Sequence, residues 1–227
     1  VYEMNRKCLD YGFLDIVSNT NDGDLLVVNA ARCSFDKEHK SFDKDKDTKL
    51  INYLAKHEHL LPFRHPSATL RMAVPIFVLR QLGKHQVGFS WSEVSRRYIT
   101  NTPQFYMPDD WRLSAENVKQ GSSDELLSVQ ETHYTNAEVD SFITTSYNLY
   151  NKLLDKEVCA EQARLILPQN MYTTTVVTGS LLGWFHMFKM RTEPHTQRET
   201  QDYAIAVGDI MEWLFPISWR ALCEHCL

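Results

Sequence analysis

No stretch of this 227-residue chain approaches the roughly 20 consecutive apolar residues that a membrane-spanning helix requires. The basic excess typical of a dedicated nucleic-acid binder is missing too. The formal charge is -5 at pH 7, which argues against polymeric nucleic acid as a partner and leaves room for a local basic pocket. Val1–Asp10 lacks the apolar core of a signal peptide, so the expected compartment is the cytoplasm, or a host's cytoplasm for a phage-encoded chain. Cysteine is scarce. Cys8, Cys33, Cys159, Cys223 and Cys226 form an odd, scattered set that fits reduced thiols better than a disulfide framework. Cys223 and Cys226 lack a second pair of ligands at zinc spacing, so no metal is expected and the pair reads as two thiols on a terminal helix. No cysteine sits in a strand-to-helix turn or beside a clear base, so an obvious thiol nucleophile is also missing.

What is present is ordinary for a globular protein, with 43% hydrophobic and 23% charged residues. Leu9–Val17 alternates as a strand would, Asn19–Asp24 is a turn cluster, and Leu25–Cys33 starts a helix. Asp36–Lys49 is a solvated charged run, and Asp47–Lys56 has helical spacing at Leu50, Ile51 and Leu54. Ser67–Val74 places Ala68, Leu70, Met72 and Val74 on one face of a strand that Pro75 ends. Ile76–Leu82 reads as a helix, Gly83–Ser95 as an irregular loop, and Arg96–Phe105 as an extended segment. Asp109–Asp140 has the weakest periodicity and reads as a surface insertion with a turn at Gln120–Ser123. Ser141–Asp155, Ala160–Leu167, Thr173–Arg191 and Gln197–Phe215 read as helices, the third broken from the second by Pro168–Tyr172. This order predicts a single α+β domain over residues 1–227.

The segment from Arg80 to Tyr98 crowds Arg80, Lys84, His85, Arg96 and Arg97 with Glu93, three serines and two aromatics before its closing Tyr98. Lys and Arg partner phosphate, and Gly83 and Gly88 allow close backbone approach to a ligand. Composition fits an anion or nucleotide site, and it also fits a surface loop with scattered salt bridges.

The ordered motifs are more specific. Lys84-His85-Gln86, eight residues, then Ser95-Arg96-Arg97 resembles the signature of the flavin-dependent thymidylate synthases, with Lys84 and Gln86 standing where that signature has arginine. Ala31-Arg32-Cys33-Ser34-Phe35 resembles the family's A-R-x-S-F, and Lys56–His65 resembles its K-H-x-H-x-x-P-F-x-H. Pro75–Val78 with Arg80-Gln81 is similar to the element leading into the signature, and Ala163–Pro168 to the A-R-x-x-L-P stretch. Met190-Arg191 followed by His195, Gln197 and Glu199 resembles the last catalytic segment.

The resemblance implies a thymidylate synthase-complementing fold with a small, mainly antiparallel sheet and long helices. It implies reductive methylation of dUMP to dTMP, with bound FAD reduced by NADPH, 5,10-methylenetetrahydrofolate as carbon donor, and no cysteine nucleophile. It assigns Arg191 the catalytic role beside the pyrimidine, where a guanidinium stabilises developing negative charge. Gln81, Lys84, Glu93, Ser95, Arg96, Arg97 and Arg164 fall at dUMP-binding positions, Ser95 as a binding group and not a nucleophile. Ser34, His59, Leu61, Lys84, His85 and Gln86 fall at flavin positions, together with Glu93, Ser180 and His186. Leu182 stands at a further flavin position, but its side chain donates no hydrogen bond. Relatives of this kind are homotetramers with flavin shared between subunits. A pyrimidine-nucleotide-binding protein, or another flavin enzyme on the same scaffold, is the competing reading. If no thiol attacks the ring, changing all five cysteines to Ser leaves dTMP formation intact in the folded protein; loss of turnover with an unchanged circular dichroism spectrum would overturn this.

Overall fold

Residues 67–75 (β3) fulfil the alternation read from the sequence, with Ala68, Leu70, Met72 and Val74 facing inward and buried. The computed structural model describes residues 5–115 and 121–227, and β3 lies at the centre of its main sheet. An N-terminal hairpin precedes it, Asn5–Cys8 (β1) and Gly12–Asn19 (β2). The strand expected over Leu9–Val17 therefore starts at Gly12, because Leu9 adopts φ 54° and turns the chain. Gly23–Arg32 (α1) and Lys44–Lys56 (α2) follow. Asp43 sets the start of α2 by accepting hydrogen bonds from the amides of Asp45 and Lys46. Ile76–Leu82 (α3) continues directly from β3.

Two expectations are corrected in the second half of the sheet. Thr173–Arg191 is not one helix. Tyr172–Ser180 (β7) is a strand and the helix begins at Leu181. A run of threonines and valines favours a pleated surface, and its burial alternates strictly through Thr173, Thr175, Val177 and Gly179. Ser180 then ends the strand and caps Leu181–Arg191 (α6) by accepting from the Gly183 amide at 3.1 Å. The stretch expected as an irregular loop contains Phe89–Glu93 (β4), an edge strand paired with β7. The five-stranded sheet has the order β1-β2-β3-β7-β4, antiparallel throughout.

The weakly periodic stretch contains a two-stranded hairpin, Arg112–Ser114 (β5) and Ser122–Leu126 (β6), and then Val129–Asp155 (α4). Gln120, in the turn expected at 120–123, lies outside the described residues, as do residues 1–4 of the N-terminal segment; Ser122 and Ser123 belong to β6. The α4 helix begins at Val129, ahead of the expected Ser141, because Ser128 and Glu131 close a capping box. Ala160–Ala163 (α5) gives way to a 3-10 turn at Arg164–Ile166. The C-terminal part is Arg198–Leu214 (α7) and Pro216–Cys226 (α8), the latter carrying Cys223 and Cys226.

The core lies between the inward face of the sheet and α6, α7 and α8. Leu70, Met72 and Val177 meet Leu181, Trp184, Phe185, Val207 and Trp219 there. Leu182 belongs to this core and is 2% exposed, which accounts for its apolar side chain. Phe89 stands edge-on to Trp184 with centroids 4.8 Å apart, pinning β4. That packing requires Gly179, where a Cβ would come within 2.5 Å of the Phe89 ring and 2.8 Å of Trp184 Nε1. Gly179→Ala should lower stability by about 1–3 kcal/mol, the range for overpacking a filled interior, read as an earlier urea midpoint. An unchanged midpoint would show that Phe89 yields freely.

Candidate active site

Gln81 lies in the last turn of α3 and Arg191 closes α6, and the sheet brings these two helix ends together. Arg191 Nη2 donates to the Gln81 backbone oxygen at 3.1 Å, satisfying a carbonyl at a helix terminus with a cation. Arg191 Nε donates to His85 Nε2 at 3.0 Å. His85 must therefore be neutral, with its proton on Nδ1. Burial, and then the positive charges of Arg191 and His186, push His85 down to about 4, in agreement with that role. Both recorded partners of Arg191 are neutral, so no paired carboxylate cancels its charge among the described residues.

Arg191 opens onto a cleft of about 720 Å³ that Gln81, Met190, His195 and Gln197 also line. The Gln81 side chain donates to Gln197 Oε1 at 2.6 Å. Arg112 also lines the cleft, and its charge is taken up by Glu199 through Nη2 at 2.9 and 3.0 Å from the two carboxylate oxygens. Arg112 also borders a neighbouring, mainly apolar cleft of about 450 Å³ between Phe77, Trp111, Phe142 and Ile143. Sequence reading missed Arg112, which lies in the stretch with least periodicity. The signal for it was indirect: Glu199 occupies a helical position that is buried, and a buried carboxylate needs a cation.

A second group gathers around Ser95. Its Oγ accepts from Arg164 Nη1 at 3.4 Å and from the Arg97 amide at 3.3 Å, while Arg97 Nε pairs with Glu161 at 3.3 Å. Arg96 is turned inward and donates to the Asn101 carbonyl at 2.7 Å, so its side chain braces the loop. Lys84, Gln86 and Glu93 share a third cleft, of about 430 Å³, with Arg80 and Trp91. Gln86 donates to the Gly83 carbonyl, and Glu93 accepts from Thr173.

The remaining candidates lie on turns beside α1, α2 and α6. Ser34 is exposed in the 3-10 turn Cys33–Phe35. His59 is exposed and stacks with Tyr53 at 6.2 Å, with His57 edge-on. Leu61 opens the 3-10 turn Leu61–Arg64 and is 67% exposed. His186 lies on the exposed side of α6, and its pKa is lowered first by desolvation and then by the charges of Arg64 and Lys189. Gly88 has φ +80°, where a Cβ would come within 2.9 Å of Ser180 Oγ, so the loop passes tightly over the start of α6. The candidates thus form an Arg191 group, a Ser95 group and a Lys84 group, with imidazoles and apolar side chains beside them.

Comparison with known proteins places this chain in a family. The model for the thymidylate synthase complementing protein matches residues 15–217. A flavin-dependent thymidylate synthase of Thermosipho africanus is 36% identical over 224 residues, 97% of this chain and 95% of that protein. One from Thermus thermophilus is 35% identical over 219 residues, 96% of this chain and 78% of the relative. Among solved structures, the UMP/dUMP methylase PolB from Streptomyces cacaoi, bound with 5-Br dUMP, superposes with a TM-score of 0.85 at 27% identity, covering 96% of this chain and 97% of that one. The chain belongs to the thymidylate synthase complementing protein family.

The Arg191–His85 contact predicts a pH dependence. The pKa of His85 is depressed on folding, so its contribution to stability is complete above pH 6.5, its ordinary value, and is lost as pH falls toward about 4. The His85 ring should titrate with a midpoint near 4 by NMR, and His85→Gln should flatten the loss of thermal stability between pH 6.5 and 4. A midpoint near 6.5 would break this assignment.

Proposed function

We propose that this chain is a flavin-dependent thymidylate synthase that converts dUMP to dTMP. FAD is the bound cofactor, 5,10-methylenetetrahydrofolate donates the carbon and NADPH the reducing equivalents. Residues 1–227 act as one synthase domain, in a homotetramer whose sites are shared between subunits. The observation that carries the reading is the uncancelled guanidinium of Arg191, held by neutral partners at the edge of a cleft with Gln81.

The chemistry needs C5 of the uracil ring to act as a nucleophile, which spreads negative charge onto the ring's oxygens. Arg191 stabilises that charge. Because His85 and the Gln81 carbonyl hold Nε and Nη2 beforehand, little reorganisation is needed during the reaction. A neutral His85 supports this role, since a protonated ring could not accept from Arg191. Arg97, Arg164 and Ser95, with the backbone amides around Arg96, suit the nucleotide phosphate. The Glu161 contact leaves Arg97 further donors.

The residues present fit a flavin. Bound there, it would supply the hydride that completes the methyl group. Lys84 offers a point charge for a phosphate, and Gln86 and Ser34 offer polar contacts. His59 and Tyr53 present ring faces, while Leu61 and Val87, 67% and 87% exposed, offer apolar surface that a ring or a second subunit would cover. Glu93 would face the nucleotide and His186 the flavin, and Ser180 lies against the tight turn at Gly88. Burial pushes Cys8 up to about 12 and Cys223 up to about 11, and Cys226 is raised as well, which makes these three thiols poor nucleophiles. A cytoplasmic placement is part of this proposal; separately, no helix among the described residues is long and apolar enough to cross a membrane.

Purified protein should bind FAD, turn yellow, and form dTMP from dUMP only when the folate and NADPH are both supplied. Arg191→Ala should cut dTMP formation by about 100-fold or more, the scale for losing a preorganised charge-stabilising donor, with the bound-flavin spectrum kept. A protein that takes up no FAD, or an Arg191→Ala variant with full activity, would overturn the respective assignment.

A further inference from the structure

Gln81 and Gln197 meet side chain to side chain. Each amide carries one carbonyl oxygen and two N–H groups. The bond between them uses an N–H of Gln81 and a lone pair of Gln197. The Gln81 carbonyl oxygen, its second N–H and the Gln197 NH2 group are then left for other partners. Exchanging both amide orientations would reverse this, leaving a donor at Gln81 and an acceptor at Gln197, so the selectivity rests on the orientation in which Gln81 donates. Both residues are anchored through their backbones. The Gln81 carbonyl accepts from Arg191, and the Gln197 carbonyl accepts from the Thr200 and Gln201 amides at the start of α7.

Arg191 completes the row. Its contacts use Nε–H and one hydrogen of Nη2, so the rest of its fork remains for a ligand in the same cleft. In contact order, Arg191, Gln81 and Gln197 offer donor, acceptor, donor. The edge of uracil formed by O2, N3–H and O4 is acceptor, donor, acceptor, the complement of that row. The matching edge of cytosine is acceptor, acceptor, donor, so it conflicts at two of the three positions, and a mismatched polar edge leaves groups unpaired on both sides.

We propose that Gln197 is a specificity-determining residue that, through its bond with Gln81, selects uracil over cytosine nucleotides; this rests on the dUMP reading above. Calorimetric titration of the FAD-loaded protein with dUMP and with dCMP tests it without turnover. The unaltered protein should bind dUMP about 100-fold or more tightly than dCMP, as a site built to hydrogen-bond one edge rejects its mismatch. Gln197→Ala should weaken dUMP about 10-fold, one hydrogen bond's worth, and leave dCMP unchanged, narrowing the ratio. Gln197→Glu keeps the shape and suits a helix N-terminus, but presents acceptors where O4 would lie. It should weaken dUMP more than Gln197→Ala does and tighten dCMP. If both variants bind dUMP and dCMP with the unaltered ratio, Gln197 does not set specificity, while the dUMP reading stands. If the unaltered protein binds neither nucleotide, the dUMP reading itself fails, and this inference with it.

Discussion

The pairing of β3 with β7 is the constraint on which the site depends. The two strands run antiparallel in unbroken register from Ser67 opposite Ser180 to Pro75 opposite Tyr172. Each leads directly into a helix, β3 into α3 and β7 into α6, and the helices leave from opposite ends of the pair. The C-terminal ends of those helices nevertheless meet, where Arg191 reaches the last turn of α3. A one-residue slip between β3 and β7 would turn every buried side chain of one strand outward, so hydrophobic burial fixes the register. It thereby also fixes which helix ends face each other. The geometry around Arg191 is in this sense a product of the core.

The two arginines of the main cleft illustrate opposite uses of one side chain. Arg112 is neutralised within the protein by a buried carboxylate, Glu199, and so joins the β5–β6 hairpin to α7. Arg191 is held by a carbonyl and a neutral ring, which orient it and leave its charge unspent. A charge meant for a ligand must be positioned without being paired, and a depressed imidazole is among the few side chains able to accept from a guanidinium in that way.

Much of this was legible in the residues, but unevenly. The alternation of Ala68, Leu70, Met72 and Val74 announced β3, because one face is buried and the other is not. β7 was hidden, because its threonine-rich half runs without a Pro break into an apolar helix, Gly179 reads as part of either, and the cap at Ser180 marks the boundary. β4 was hidden because an edge strand rich in serine reads as a loop until its partner is known. Among the site residues, ordered motifs located Gln81, His85, Ser95, Arg97, Arg164 and Arg191, and the fold joined these into two bonded groups. Arg112 and the Gln81–Gln197 bond depend on contacts between residues 87 and 116 positions apart, which local pattern does not encode.

Arg112 borders both the polar cleft of Arg191 and the apolar cleft beneath Trp111. A partition common to two chambers has less freedom to drift than the lining of either one. Any replacement must keep Glu199 neutralised and leave both chambers their shape, demands that few side chains satisfy together. Evolutionary change in this enzyme's substrate range should therefore proceed through the outer walls, around Met190, His195 and Phe142, and leave the partition in place.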